Sequence, residues 1–334
     1  MSDIESTPKH RYTQEQQFAQ ASSSHIAQLW QQRVEGTITS FDRTSLYWVK
    51  LTHPQHTKAI VVINGRIEST WKYQELFYDL YQQGYDIFSY DHRGQGLSGR
   101  LTDDPQIGHI DEFNDYLLDM DKMVDTFDLS GYQTRHLLAH SMGGTIATRY
   151  IQTHPQHQFD AMALSAPMFG IHLPWYLKPI ASLISQLLTA CNPKPVYAPG
   201  HQAYYPKPFD SNPLNQCLPR YEWFRQLYED KPELQVGGPS TRWVWQSMMA
   251  AKQSIQLTRQ IKIPLLLMQA GDDTIVANAS HIKFIKKLAR TNTRCGFKII
   301  HGARHELLFE QDQYRNQVLD TLLSFFAQYP RHQA

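Results

Sequence analysis

The segment Ala139-His140-Ser141-Met142-Gly143-Gly144 has the residue types of a strand-to-helix turn that carries a nucleophile. An apolar run precedes it and a run with helical spacing follows it, so the turn would hold the Ser141 hydroxyl above the carboxyl edge of a sheet. Small residues two positions before and after the serine allow the strand and helix to approach closely, although Ala139 stands where glycine is usual. A helix-capping serine is the alternative interpretation of this segment alone.

An acid and a histidine follow the serine in the order Ser, then Asp or Glu, then His, which is the chain order of the fold that carries a serine on such a strand-to-helix turn. Asp273 comes after the apolar run 264–268, where a carboxylate can orient an imidazole. We prefer it to its neighbour Asp272 because Asp-x-Ile-Val is the usual context. His305 follows the run 297–300, in the loop before the last predicted helix. A surface histidine is the alternative for His305 alone, but the joint order predicts acyl transfer through a covalent intermediate.

Backbone N–H groups are expected to stabilise the oxyanion that forms when the serine attacks. One belongs to Met142, directly after the nucleophile. The other is expected in the loop after the apolar run 59–63, at Arg66, which follows Asn64-Gly65.

Two further motifs suggest cofactors and do not meet their structural requirements. The run 94–99 matches Gly-x-Gly-x-x-Gly, but 100–105 is not helical, so a dinucleotide pyrophosphate would lack its helix N-terminus. His301, His305 and Glu306 do not have the His-Glu-x-x-His spacing of a zinc protease. We therefore expect no cofactor and no catalytic metal.

The elements that must position these residues alternate between short apolar runs and amphipathic segments. This alternation predicts an α/β protein with a mostly parallel sheet, preceded by a hairpin over 36–52. Strands are predicted at 59–63, 85–90, 136–139, 159–165, 264–268 and 297–300, and helices at 71–83, 112–127, 142–154, 277–290 and 311–327.

The domain organisation is predicted from where the alternation starts and breaks. Residues 1–34 form a polar extension in which 8–34 has the spacing of one amphipathic helix, and 35–167 with 263–334 form the core. The interval 168–262 is predicted to be a mainly helical lid inserted between neighbouring strands. Its apolar residues, among them Met168, Phe169 and Trp175, would either line an acyl-chain site or simply pack the lid onto the sheet.

Composition narrows the function classes. Lysine and arginine total 32 against 31 acidic residues in 334, a net charge of +1, which argues against a nucleic-acid partner. Hydrophobic residues make up 41%, enough for a large core. The three cysteines have unrelated spacings, which suggests neither a disulfide framework nor a zinc cluster and fits a reducing compartment.

Targeting signals are weak. The first residues are mostly polar and do not predict a cleaved secretory signal. The apolar stretch 161–177 is interrupted by Pro167 and Pro174, and 179–191 is too short to span a bilayer. A cytoplasmic protein is expected, with contact to a membrane surface left open, and the sequence does not fix the oligomeric state.

Five segments together resemble the bacterial lysophospholipases of the L-two type, which belong to the monoacylglycerol-lipase-like, serine aminopeptidase S33 group of α/β-hydrolases. The segments are 64–69, 91–100, 138–144, 166–170 and 302–310. The resemblance implies an α/β-hydrolase fold and hydrolysis of the remaining acyl ester of a lysophospholipid, giving a fatty acid and a glycerophosphodiester. It also implies peripheral association with the cytoplasmic face of the bacterial inner membrane.

Residue by residue, the resemblance assigns the family triad to Ser141, Asp273 and His305. Asn64 departs from the His that commonly precedes the oxyanion loop. A monoacylglycerol lipase or general carboxylesterase is the nearest alternative, and an aminopeptidase or a non-catalytic binding protein is more distant. Arg66, Lys72 and Arg242 are candidate cations for a phosphate head group, and the sequence does not place them.

Overall fold

The computed structural model describes residues 11–171, 186 and 194–330. Within these residues, eight strands form one sheet in the order β1-β2-β4-β3-β5-β6-β7-β8. The strands are β1 Val34–Thr39, β2 Ser45–Leu51, β3 Lys58–Ile63, β4 Tyr85–Tyr90, β5 Thr134–His140, β6 Ala161–Ser165, β7 Leu265–Ala270 and β8 Cys295–Ile300. The pairs β1–β2 and β2–β4 are antiparallel and the other pairs are parallel, which confirms the predicted class and the N-terminal hairpin.

Helices cover both faces of this sheet. In the described residues they are α1 Phe18–Ser23, α2 His25–Gln31, α3 Gln74–Gln82, α4 Asn114–Phe127, α5 Ser141–Thr153, α6 Leu218–Asp230, α7 Thr241–Gln256, α8 Asn278–Leu288 and α9 Asp312–Ala327. Successive side chains of β3 enter different cores: Val61 packs with α4, α5, α7 and α8, whereas Ile60 and Val62 pack with α2, α3 and α9. This two-sided burial explains why the parallel strands are continuous apolar runs.

The N-terminal segment differs from the single helix predicted over 8–34. Within its described part, residues 11–14 are not helical, and Ser24, with φ −118° and ψ −103°, separates α1 from α2. Serine hydroxyls satisfy carbonyls of the preceding turn at this point, with Ser24 Oγ donating to Gln20 O at 2.6 Å and Ser23 Oγ to Ala19 O at 3.0 Å. Such side-chain bonds compete with continued helix formation, so the apolar spacing alone was misleading.

The chain between β6 and β7 is fastened to the sheet-forming part by buried polar bonds. Arg220 of α6 donates from Nε to Glu75 Oε2 and from Nη2 to Asp312 Oδ1, both at 2.8 Å. Asn215 Nδ2 donates to Glu306 Oε2 at 2.8 Å. In the described ranges, we find no helix with the length and apolar character needed to cross a bilayer.

Candidate active site

Ser141 lies at the turn from β5 into α5 and has a left-handed backbone with φ +50°. A non-glycine residue in this region is strained and is retained only where its surroundings fix it. Space at the turn is tight, because a Cβ built on Gly144 would lie 2.7 Å from the Pro167 side chain. The absence of a side chain at Gly144 therefore allows the close approach of helix and loop at the turn that presents the serine at the carboxyl edge of the sheet.

The structure brings Ser141, His305 and Asp273 together in one hydrogen-bonded path. The Ser141 hydroxyl donates to His305 Nε2 at an Oγ···Nε2 distance of 2.9 Å. His305 Nδ1–H donates to Asp273 Oδ2 at 2.7 Å. Ser141, Asp273 and His305 follow the ends of β5, β7 and β8. Ser141 is 164 positions from His305 along the chain, and Asp273 is 32 positions from it.

The Asp273 carboxylate is held by more than the histidine. Its Oδ1 accepts the backbone N–H groups of Ile275 at 2.8 Å and Val276 at 3.0 Å. Burial favours the neutral acid, but the nearby His305 and these N–H donors outweigh it, so the pKa of Asp273 lies below its usual value. Asp272, the alternative acid, is exposed.

The loop after β3 lies directly against the serine. A Cβ built on Gly65 would be 3.2 Å from Ser141 Cβ, so only glycine fits without displacing the neighbouring atoms. The backbone N–H groups of Arg66 and Met142 have no hydrogen-bond acceptor among the described residues, and the N–H of Met142 is in the first turn of a helix, where no intrahelical acceptor exists.

Gln95 fixes this loop, which sequence reasoning did not anticipate. Its Nε2 donates to Gly65 O at 2.7 Å and to Glu68 O at 2.8 Å, while its Oε1 accepts the N–H of Ile67 at 3.2 Å. Gln95 belongs to the 94–99 run, whose Gly96 leaves no room for a Cβ beside Asp91. The glycine pattern thus serves a tight turn that braces the residue 65–68 loop.

Comparison with known proteins supports the family resemblance that was predicted from the sequence. A family model described as serine aminopeptidase, S33, matches residues 54–312. The chain belongs to the serine aminopeptidase S33 family. Lysophospholipase L2 of Escherichia coli (strain K12) is 37% identical over 322 residues, covering 94% of this chain and 93% of that protein. Probable lysophospholipase L2 of Haemophilus influenzae is 38% identical over 271 residues, covering 80% and 83%.

Solved structures place this S33 family member among proteins of one fold. A soluble variant of the monoglyceride lipase from Saccharomyces cerevisiae, in complex with a substrate analog, superimposes with a TM-score of 0.70 at 21% identity, covering 90% of this chain and 96% of that one. Paleococcus ferrophilus monoacylglycerol lipase gives 0.63 at 18% identity, covering 84% and 99%. These likenesses confirm the α/β-hydrolase fold.

A buried cluster of charged side chains adjoins the Ser141–His305–Asp273 site and was not predicted from the sequence. Lys72 Nζ contacts Glu68 Oε1 at 3.0 Å and Glu306 Oε1 at 2.5 Å, and all three side chains are at most 5% exposed. Burial alone would raise the pKa of Glu68, but the Lys72 ammonium outweighs it, and the pKa is lowered to about 2. The i, i+4 spacing of Glu68 and Lys72 was the one sequence signal for this cluster.

The cluster contacts both loops of the site. Glu68 Oε2 accepts the N–H of Gly65 at 2.5 Å, and Glu306 directly follows His305. His140 lies beside His305, with 5.0 Å between the two ring centroids. Its Nδ1 is 3.1 Å from Ser165 O. Burial lowers the pKa of His140, which favours a neutral ring beside His305.

The lid residues predicted to contact substrate have different positions. The Met168 N–H donates to Ser141 O at 2.9 Å, so the Met168 backbone lies beside the turn that carries the nucleophile. Phe169 is 2% exposed and stacks on Phe284 of α8 at 4.2 Å between ring centroids. Trp175 lies outside the described residues. Contact of these residues with substrate stays a prediction.

Proposed function

We propose that this protein is a serine esterase that removes the acyl chain of lysophospholipids, releasing a fatty acid and a glycerophosphodiester. The observation that carries the proposal is the continuous path from the Ser141 hydroxyl through His305 to the Asp273 carboxylate. A binding protein has no need for this path, whereas it supplies the nucleophile, the base and the orienting carboxylate that acyl transfer by a serine uses.

In the first half of the reaction, His305 Nε2 takes the proton from Ser141 as its oxygen attacks the ester carbonyl carbon. The carbonyl oxygen becomes an oxyanion, which the N–H groups of Arg66 and Met142 would bind. His305 then gives its proton to the glycerol oxygen, the carbon–oxygen bond breaks, and the acyl group stays on Ser141. The leaving glycerophosphodiester is therefore neutral at the new hydroxyl.

In the second half, a water molecule repeats the attack on the acyl-enzyme. His305 removes a proton from the water and returns one to Ser141 as the fatty acid leaves. Asp273 accepts the Nδ1–H throughout, which fixes the tautomer with Nε2 free to accept and stabilises the imidazolium in each half.

The substrate class is supported by the relatives named lysophospholipase, which align over most of the chain. A monoacylglycerol substrate is the second candidate, because a human relative at 24% identity is named monoglyceride lipase. The two substrates share the acyl ester and differ in the phosphodiester, so the head group is the discriminating feature.

Access to a lipid substrate also supports peripheral contact with a membrane surface, and the resemblance to the L-two type lysophospholipases implies that this is the cytoplasmic face. Lysophospholipids are held in bilayers by one acyl chain, and their extraction requires an enzyme that reaches the interface. Co-sedimentation with phosphatidylglycerol vesicles at low and high salt tests this part of the proposal. Equal amounts of protein in the supernatant with and without vesicles would contradict it.

The central test measures hydrolysis of lysophosphatidylethanolamine, monooleoylglycerol, p-nitrophenyl butyrate and an amino-acid p-nitroanilide by wild type and Ser141→Ala. We expect wild type to prefer the lysophospholipid and Ser141→Ala to lose several orders of magnitude while retaining its circular dichroism spectrum. A fluorophosphonate probe should label wild type only. Preference for the monoacylglycerol or the anilide would replace the proposed substrate, and absence of labelling would remove the enzyme assignment.

A further inference from the structure

The three candidate cations for a phosphate head group have different partners in the structure. Lys72 is neutralised by Glu68 and Glu306 in the buried cluster. Arg242 contacts Glu112 Oε1 from Nη2 at 3.1 Å and Asp111 Oδ1 from Nε at 3.4 Å. These two side chains are therefore already paired with carboxylates.

Arg66 differs from both. No carboxylate lies within ion-pair distance of it among the described residues, and its only hydrogen bond there runs from Nη1 to Gly237 O at 3.0 Å. Nε and Nη2 have no acceptor in that part of the chain. A neutral carbonyl does not balance a guanidinium charge, and one hydrogen bond uses one of its five N–H donors.

The Arg66 guanidinium lies beside an aromatic ring and backbone atoms, and the ring offers a cation–π attraction but no counter-ion. The guanidinium carbon lies 5.2 Å from the centre of the Trp243 ring, and Nη1 would be 3.0 Å from a Cβ built on Gly108. The residue remains partly exposed, and burial lowers the pKa of its guanidinium to about 10, so it is still charged at neutral pH. An anion reaching the open side would compensate the lost hydration.

The position of Arg66 relates this charge to the reaction. Its backbone follows Gly65, where a Cβ would be 3.2 Å from Ser141 Cβ. In a lysophospholipid, only the glycerol backbone separates the ester carbonyl from the phosphate. An arginine side chain that starts from the oxyanion loop is long enough to match that separation.

We propose that the Arg66 guanidinium binds the phosphodiester of the substrate head group, with Nε and Nη2 donating to two phosphate oxygens while Nη1 stays on Gly237 O. The assignment rests on the proposed function and makes Arg66 the residue that selects lysophospholipids over neutral monoacylglycerols. Its side chain then determines head-group specificity, separately from its backbone N–H, which is proposed to bind the oxyanion.

The test compares kcat/KM for lysophosphatidylethanolamine and monooleoylglycerol with the same acyl chain. In Arg66→Gln we expect the ratio of the two to fall about 10- to 100-fold, mainly through KM for the lysophospholipid. Arg66→Lys keeps the charge but not the two-pronged geometry and should restore part of the ratio. The paired Arg242→Gln is the matched control and should leave the ratio within about twofold of wild type.

A second measurement does not depend on the glutamine variant being folded. Glycerophosphoethanolamine, which lacks the acyl chain, should inhibit p-nitrophenyl butyrate hydrolysis by wild type and inhibit Arg66→Lys several-fold less. Unchanged inhibition and an unchanged substrate ratio in the Arg66 variants would overturn the inference while leaving the proposed function intact. A wild type that cleaves monooleoylglycerol but no lysophospholipid would overturn both.

Discussion

A Cβ built on Gly143 would lie 2.3 Å from the carbonyl oxygen of Asn64. The first turn of α5 therefore touches the backbone that leaves β3, with no side chain between them. The two N–H groups proposed to bind the oxyanion flank this contact, since Met142 precedes Gly143 and Arg66 lies two residues after Asn64. The contact therefore sets the distance between these N–H groups.

Gly143→Ala should separate these two backbones. We expect a loss of about 1–3 kcal/mol in the free energy of unfolding from overpacking, and a decrease of about 10²–10³ in kcat from the displaced donors. Urea unfolding and p-nitrophenyl butyrate kinetics measure the two effects. Gly131→Ala is the matched control, since its Cβ meets nothing within 4 Å. Wild-type kcat in Gly143→Ala would contradict the role given to this contact.

Asp273→Asn should lower kcat by about 10⁴, because an amide cannot hold His305 in the tautomer that accepts the serine proton. The adjacent Asp272→Asn changes the same charge at an exposed position and should keep kcat within about twofold of wild type. Steady-state kinetics with a soluble ester, with circular dichroism as a check on folding, compares the two. If kcat fell equally in both variants, the effect would come from disturbance of the loop and not from the Asp273 carboxylate.

Lys72→Met should lower the free energy of unfolding by about 3–5 kcal/mol, because it leaves Glu68 and Glu306 buried without their counter-ion. Arg11→Ala removes one side of an exposed pair with Asp320 and should change it by at most about 1 kcal/mol. Urea unfolding at neutral pH measures both. If the two variants had the same free energy of unfolding, the buried cluster would stabilise the fold no more than an exposed ion pair does.

Asp91 gives a pH-dependent prediction. It is buried, and burial raises its pKa to about 6 despite N–H donors from Thr70 and Leu97. The folded state thus binds this proton more tightly, so its contribution to stability is complete below about pH 4 and is lost as pH rises through 6, by about 3 kcal/mol in total.

Asp91→Asn does not titrate at this position. Although it should be less stable than wild type from its altered hydrogen bonds, the difference between the two should shrink as pH rises from 4.5 to 7.5. Urea unfolding across this range measures the difference, with the exposed Asp103→Asn as control. A difference that stays constant for Asp91→Asn would show that the two states bind this proton equally.

The sheet and the three residues of the relay were predictable because each leaves a local signal. Continuous apolar runs mark buried parallel strands, and Ser141, Asp273 and His305 each follow such a run. Chain order then decided among the other histidines and acids. Of the two neighbouring acids, the structure brings Asp273, the one preferred from the sequence, into hydrogen-bond contact with His305, and its catalytic role stays a prediction.

The interactions that were not predictable join residues far apart in sequence or depend on polar geometry. Lys72 and Glu306 are 234 positions apart, and no periodicity relates them. The head-group hypothesis also treated Arg66, Lys72 and Arg242 alike, because their different carboxylate partners become visible only when the chain is folded. Ser24 shows the same limit, since hydroxyl bonds to the preceding turn broke a segment with ideal helical spacing.

The bonds that Arg220 and Asn215 make to Glu75 and Glu306 restrict how this enzyme can be redesigned. The chain between β6 and β7 is not an independent cassette, because both acids belong to the part that a graft would retain. A chimera that received this segment from a relative without an equivalent guanidinium and amide would keep two desolvated carboxylates with fewer donors. Exchange of substrate range between family members therefore requires donor and acceptor to be transplanted together.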